Sequence, residues 1–401
     1  MKKIYATSQV KNEADIIESF IRYALVHFDG ILLTDDGSTD NTQEIIHALS
    51  VEFPERVIVV PLRKKGDAEC RLDYNRNKLL QLAFEEYNAD IVVPLDADEF
   101  LITENAKNVR QYLEELNDNA CYLCRWKTFI YSPYEGYLQD SSFVPSRYMY
   151  YRDPHVIPEM TKVVVLRKPW FEATLSLVLG NHTVKSTSNM SFSLIELQDL
   201  FIAHYPIRSI DQIKSKIIKF RLHNLSVPDM APGQSSHNEI MYHQLKKNNL
   251  ELSNDDISAF SYLYSSTPIS LDNSFIQVNS ININPRKFYP EINCIHKPQI
   301  LDCTSTIVDT ITSVMKSYDK LYPYESNKGV TLLLNMAEKI ALDYRGKRRK
   351  LLSPNEQLRI KLKWIQYKIL HKYFYIIEKA FPLETKRGEI VRNIWYELKK
   401  V

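Results

Sequence analysis

The sequence predicts an α/β fold class: a Rossmann-like, mostly parallel sheet over residues 1–225, followed by a mostly α-helical C-terminal region over residues 226–401. Three observations carry this. Apolar runs of strand length alternate with helical patterns four times in the first hundred residues, the signature of a parallel sheet with right-handed crossovers. Acidic or polar residues follow the first, second and fourth of those runs, so they gather on one edge of the sheet. Beyond residue 236 the apolar spacing is mainly helical.

Residues 3–7 form the first expected strand, and residues 14–27 a helix in which Ile16, Ile17, Phe20, Ile21, Ala24 and Leu25 recur at three- and four-residue steps. Gly30 reads as the stop of that helix. Residues 31–33 make the next strand, ending on Thr34-Asp35-Asp36-Gly37-Ser38-Thr39-Asp40, and a second helix runs to about residue 50. A strand at 57–60 and a helix at 71–87 lead to Ile91-Val92-Val93-Pro94-Leu95, a buried strand that ends on Asp96-Ala97-Asp98-Glu99-Phe100. Further on, 105–116 is helical, 120–126, 161–167 and 174–179 are strands, and 129–158 is rich in Tyr, Pro and Arg. Residues 210–223 form an amphipathic helix, 224–236 a linker marked by Pro228, Pro232 and Gly233, and 265–298 an irregular stretch.

Composition sets bounds. A chain of 401 residues, 44% apolar and 25% charged, is ordinary for a soluble protein of two domains. Five scattered cysteines, with Cys121 and Cys124 on one strand, make neither a disulfide framework nor a zinc site, which points to a reducing compartment. No apolar stretch follows Met1-Lys2-Lys3-Ile4, and no run has the length of a membrane span. A cytoplasmic protein is expected, at most peripheral on the inner face of a membrane. With only 9 glycines and neither a G-x-G-x-x-G nor a Walker motif, phosphates are not held in a glycine-rich cradle. The net charge of +2 hides an imbalance, because residues 345–401 alone carry +11.

Asp96 and Asp98 are the chemistry that the pattern singles out. Carboxylates are hard ligands suited to Mg²⁺ or Mn²⁺, ions that complete their shell with substrate phosphates. Together with Asp35-Asp36-Gly37-Ser38-Thr39-Asp40, the Arg76-Asn77 pair and Asp96-Ala97-Asp98-Glu99-Phe100, the strand pattern resembles the GT-A fold of family 2 glycosyltransferases. The Glu-Phe pair and His204-Tyr205-Pro206-Ile207-Arg208-Ser209 are similar to a bacterial branch of that family.

The resemblance implies a metal-dependent, inverting transfer of sugar from a nucleotide sugar, with a UDP-sugar favoured, to a glycan or lipid-linked acceptor in surface polysaccharide synthesis. Asp98 is then the direct metal ligand, and Asp96 touches ribose or the metal through water. Asp35 or Asp36 accepts hydrogen bonds from base or ribose, and Asn12 and Glu13 border the base. Arg71 and Arg76 meet phosphate or the aspartates, since guanidinium forks suit both. Asn77 is the family match, with Asn75 as the other register. His182 is the expected third ligand and His204 its rival; Lys162 and Arg167, which flank an apolar strand, are expected to face the phosphates. A general base is also required. The family's usual Glu-Asp pair is absent, and Glu159 comes first, then Asp153 and Glu135. Tyrosines between Trp126 and Pro154 suit stacking on sugars.

Two other readings stay open: a nucleotidyltransferase or sugar-phosphate transferase, and a non-catalytic binding module on a degenerate transferase fold. The tail carries a further expectation. Trp364, Tyr367, Leu370, Phe374, Ile377 and Phe381 form one helical stripe among lysines. It packs on the catalytic domain or on a twin subunit, or it lies on an anionic membrane; no nucleic acid partner is expected, because no base-reading motif accompanies the charge.

Overall fold

The computed structural model describes residues 1–61, 72–104, 108–131, 141–157, 159–188, 190–227, 236–265, 276, 279–314, 330–350 and 352–362. The chain divides into two compact units that are not consecutive in sequence. The first comprises Met1–Ile213, Leu252–Tyr264 and Ile269–Leu301, and the second Lys214–Glu251, Ser265–Pro268 and Asp302–Val401.

The first unit is built on β1 (Ile4–Val10), α1 (Ile17–His27), β2 (Gly30–Asp35), α2 (Thr42–Glu52), β3 (Val57–Val59), α3 (Leu72–Glu85) and β4 (Ile91–Pro94). After β4 come β5 (Glu99–Thr103), α4 (Val109–Glu114), β6 (Ala120–Thr128), β7 (Tyr150–Arg152), β8 (Thr161–Leu166), α5 (Arg167–Glu172), β9 (Leu175–Leu177), β10 (Val184–Ser186) and β11 (Ser193–His204). An eight-stranded sheet runs in the order β3-β2-β1-β4-β8-β6-β11-β5. Its first four strands are parallel to one another, as the alternating pattern predicts. β4 is fully buried between β1 and β8, which is why it reads as an unbroken apolar run.

The second half departs from the sequence reading. β8 pairs antiparallel with both β4 and β6, while β11, for which the sequence pattern gave no signal, runs parallel to β6 and antiparallel to β5. β4 and β5 are separated by four residues in the chain, yet they lie far apart in the strand order. The acidic motif is therefore the turn that carries the chain from one half of the sheet to the other. Strand order also reverses at β1 and β4, a topological switch point where open α/β sheets place ligands.

Several apolar clusters hold this unit. Under α3, Leu79, Leu80, Ala83 and Phe84 pack on Tyr5, Leu32, Val92, Val163 and Val165. On the other side an aromatic cluster joins Tyr23, Phe100, Phe143, Tyr205 and Tyr289, with ring centroids 5.4–6.3 Å apart. Tyr289 belongs to the returning segment 279–301, which is also lashed to α1 and α2. Glu18 accepts the backbone N–H of His296 at 2.8 Å, and Asn41 brackets the Lys297 carbonyl and the Gln299 N–H at 2.9 and 2.8 Å.

Gly30 has a different reason from the one its sequence position suggested. It opens β2, and a Cβ there would lie 2.7 Å from the Tyr5 ring and 2.9 Å from the Arg56 carbonyl, so close packing requires glycine. The helix before it ends at His27 with Phe28 as its cap.

The first unit also includes α8 (Asn254–Tyr262, with α6 and α7 below) and β12 (Ser280–Asn282), which pairs antiparallel with β7. Helix α6 (Ile210–Ser226) leads into the second unit, where α7 (Ser236–Lys247), α9 (Cys303–Val314) and α10 (Val330–Lys350) are the described helices, followed by a short helix over residues 354–362. Among the described residues, no helix is long and apolar enough to cross a membrane. The linker residues 228–235 and the tail stripe from Trp364 onward lie outside the described residues.

Candidate active site

The carboxyl ends of β1, β2 and β4 share one edge, and the loops that leave them build the site. After β2, Asp35 is consumed by its own turn. It accepts the N–H groups of Gly37 and Ser38, each at 2.9 Å, the Ser38 hydroxyl, and the Gln43 amide. Gly37, at φ +72°, lets that turn close. Asp36 stands half-buried beside it and anchors through its backbone N–H to the Val10 carbonyl at 2.8 Å.

Asn12, with φ +55°, accepts the Thr39 N–H at 2.8 Å, and its own N–H donates to Ser38 Oγ at 2.8 Å. It knits the loops after β1 and β2 together. Glu13 turns inward and accepts from Arg208 at 2.6 Å.

The acidic motif after β4 splits into two charged corners. Asp96 accepts from Lys162 Nζ at 2.6 Å and from Arg76 Nη2 at 3.1 Å. Burial alone would raise its pKa, but the Lys162 ammonium and the Arg76 guanidinium hold it well below the usual carboxylate range. Glu99, fully buried, accepts the Asp96 N–H at 2.9 Å and lies 3.1 Å from Lys162. Burial pushes Glu99 up to about 8, against the pull of Lys162 and with the help of Asp96 and Asp98. This corner therefore gathers the Lys162 and Arg76 cations around two acids whose pKa values are driven in opposite directions. Arg76 Nε is buried there with no partner among the described residues.

Asp98 faces the second corner. Its Oδ2 lies 3.8 Å from His204 Nε2 and 3.5 Å from Arg208 Nη1. Arg208 is itself buried, bidentate to Asp15 at 2.6 and 2.9 Å and bonded to the Tyr205 carbonyl at 3.2 Å. Trp126 lies between the corners: His204 stacks on its ring at 4.0 Å, His182 meets it edge-on at 5.6 Å, and Lys162 sits 5.7 Å from its centre.

His182, the expected third metal ligand, is held by a 2.7 Å bond from Nδ1 to the Thr161 carbonyl. Burial, and then the nearby Lys162 charge, lower its pKa to about 4. It belongs to the Lys162 corner, whereas His204 is the imidazole beside Asp98. Gly180 enforces the first placement, since its φ is +86° and a Cβ would lie 2.6 Å from the His182 ring.

Glu159 is not placed as a free base. Its side chain is 1% exposed, takes the Arg152 fork at 2.6 Å on each oxygen, and accepts from Thr128 N and Oγ1 at 3.2 and 2.9 Å. Every lone pair that matters is taken, which is a structural ion pair. Asp153 closes a local turn on the His155 N–H at 2.8 Å. Asn77 likewise braces β9, accepting the Leu177 N–H at 2.7 Å. Arg71 and Glu135 lie outside the described residues. Glu99, Trp126 and Arg208 carry no assignment in the sequence reading. Arg208 and Glu99 were visible only as letters of a motif, and Trp126 gave no signal beyond an aromatic in a strand.

Among the described residues no cluster of three or more His, Cys, Asp or Glu side chains is arranged to hold a metal. Asp98 and His204 offer a hard oxygen and an imidazole nitrogen, a donor set that suits Mn²⁺ or Mg²⁺ where substrate phosphates supply the remaining ligands.

Residues 9–174 match the model of glycosyl transferase family 2. No curated protein sequence matches the chain. Among solved structures, similarity is found to the mannosyltransferase PcManGT from Pyrobaculum calidifontis in complex with GDP-Man and Mn²⁺, at 11% identity over 90% of this chain and 84% of that one, with a TM-score of 0.33. Glucosyl-3-phosphoglycerate synthase from Mycobacterium tuberculosis, in complex with Mn²⁺ and UDP-glucose, is 17% identical over 31% of this chain and 44% of that one, with a TM-score of 0.22.

Proposed function

Residues 9–174 form a glycosyl transferase family 2 domain, and from that premise we propose that the protein moves a sugar from a nucleotide-sugar donor, with inversion, at the Asp98 edge of the sheet. The observation that carries the reading is the pair of corners. Asp98 and His204 stand 3.8 Å apart at the end of β4, and Lys162 and Arg76 are gathered around Asp96 beside them.

When bound between Asp98 and His204, a divalent ion supplies the positive charge that a departing nucleoside diphosphate needs. The chain's own residues do the rest. Lys162 and Arg76 keep Asp96 ionised and present positive charge where phosphate oxygens would lie, and Asp96 is placed to accept from a ribose hydroxyl. Asp36 accepts from the base or ribose. Asn12 sets the distance between the two loops that flank the nucleoside. Trp126 fixes both imidazoles, so that His204 stays with Asp98.

For the donor the reading favours a UDP-sugar, and for the acceptor a glycan or lipid-linked sugar of surface polysaccharide assembly. The test is nucleotide release from a panel of UDP-, GDP-, CMP- and dTDP-sugars, with Mn²⁺ and with EDTA. Turnover that requires the metal supports the reading, and the preferred base names the donor. Failure of every nucleotide to bind by calorimetry at millimolar concentration would remove it.

A further inference from the structure

A single guanidinium links the two ends of the site. Arg208 leaves the loop after β11, is 3% exposed, and meets carboxylates from two other loops: Glu13 at 2.6 Å and Asp15 at 2.6 and 2.9 Å after β1, and Asp98 at 3.5 Å after β4. A buried arginine is costly unless its fork is filled, and burial here is outweighed by Asp15, Glu13 and Asp98, which raise its pKa well above the ordinary value. The fork is therefore permanently charged, and its contacts are unequal. Three short bonds tie it to the β1 loop, and a longer one reaches Asp98.

The β1 loop is in turn the piece that frames the nucleoside. Glu13 N–H donates to Thr42 Oγ1 at 2.9 Å, Ala14 N–H to Asp40 at 3.2 Å, and Asn12 bonds Thr39 and Ser38. Whatever fixes Glu13 and Asp15 thus fixes the loop after β2 as well. On the other side Tyr205 N–H donates to the Asp98 carbonyl at 2.8 Å, so the Arg208 loop also holds the backbone of the acidic motif.

We propose that Arg208 is a positioning residue that couples the nucleoside end of the site to its metal end. It holds Asp15 and Glu13 with one side of its fork and Asp98 with the other. When the Asp98 carboxylate is engaged elsewhere, the guanidinium belongs wholly to Asp15 and Glu13, and the nucleoside loops are firmed. Nucleoside bound first makes the same choice for Arg208 and leaves Asp98 available, as reciprocity requires. Lysine cannot reproduce this, because one ammonium cannot fork onto Asp15 and still reach both Glu13 and Asp98. The inference rests on the reading of Asp98 as the metal-side carboxylate and of the β1 and β2 loops as the nucleoside side.

The test is a linkage measurement on the full chain. Mn²⁺ binding is followed by electron paramagnetic resonance, with and without a saturating nucleoside monophosphate chosen from UMP, GMP, CMP and dTMP. A monophosphate lacks the diphosphate bridge, so coupling must pass through the protein. The wild-type chain is expected to bind Mn²⁺ about fivefold or more tightly with the nucleotide present. In Arg208→Lys, and independently in Asp15→Asn, that ratio falls to near one while the melting transition stays cooperative; Asp15→Asn serves if the lysine variant does not fold. A wild-type ratio of one, or variants that keep the wild-type ratio, overturns the proposal. If neither Mn²⁺ nor any nucleotide binds the wild-type chain, the functional reading itself falls and takes the proposal with it.

Discussion

Asp96, Asp98 and Glu99 are separated by at most three residues, yet burial and neighbours give them three different states. Lys162 and Arg76 hold the Asp96 pKa down against burial, burial pushes that of Glu99 up, and Asp98 shares Arg208 with Glu13 and Asp15. Only Asp98 is oriented to His204, so Asp98→Ala should abolish metal-dependent transfer by orders of magnitude while leaving the melting temperature near wild type; substantial metal-dependent turnover in that variant would refute the assignment. A second residue-scale prediction concerns stability. His27 is buried against Tyr23 at 4.7 Å, and burial lowers its pKa from 6.5 to about 4. The unfolded chain takes up a proton near pH 6.5 and the folded chain only near pH 4, so the stability that neutral His27 confers is complete above pH 6.5 and lost as pH falls towards 4. The loss amounts to at most about 3 kcal/mol. His27→Phe should flatten the denaturation midpoint over that window, and an unchanged acid slope would show that other groups set it.

At the scale of elements, the first four strands were legible because each is an apolar run of a length that fits a parallel sheet, punctuated by polar loops. β8 and β11 were not equally legible. The apolar run of β8 does not say that it pairs antiparallel, and β11 mixes buried Leu197, Leu200 and Ile202 with exposed Leu194 and Ile195 along a strand broken by a register shift. The site follows the same division. Asp36, Asp96 and Asp98 follow legible strands, whereas His204 and Arg208 follow β11, so sequence could name them as a motif but not seat them. The pairing of Glu159 was hidden for a related reason: its partner Arg152 sits on β7, and pairing is invisible until strands meet. That pair supports the third prediction. Removing one partner of a buried ion pair costs about 3–5 kcal/mol, while replacing both with apolar groups recovers much of it. Glu159→Met should therefore destabilise strongly in urea, and Glu159→Met with Arg152→Met much less. Glu159→Gln should keep turnover per folded molecule, whereas a collapse of turnover at unchanged folded fraction would restore Glu159 as the base.

At the scale of the whole molecule, the charge imbalance in the sequence reappears as exposed helix. Lys347, Arg348, Arg349 and Lys350 close α10, and the helix at 354–362 is exposed along almost its whole length, with Leu358 at 55% and Leu362 at 57%. Its start is fixed locally rather than by packing. Ser353 N–H and Oγ donate to Glu356 at 2.8 and 2.7 Å, and Glu356 N–H returns to Ser353 Oγ at 3.4 Å, a capping box. A helix that begins by its own caps and leaves leucines and cations in water has the composition of one that lies on an anionic surface, where each Lys or Arg contributes about 1 kcal/mol. Binding through such charges must weaken with salt, since screening shortens their reach to about 8 Å at physiological ionic strength. The full chain should therefore sediment with vesicles containing phosphatidylglycerol at low salt, release as salt rises, and fail to sediment once residues 353–401 are deleted. A neutral phosphatidylcholine vesicle should not hold it. If the intact chain stays in the supernatant at low salt but elutes as a dimer that the deletion converts to a monomer, a second copy covers these leucines and the membrane reading is lost.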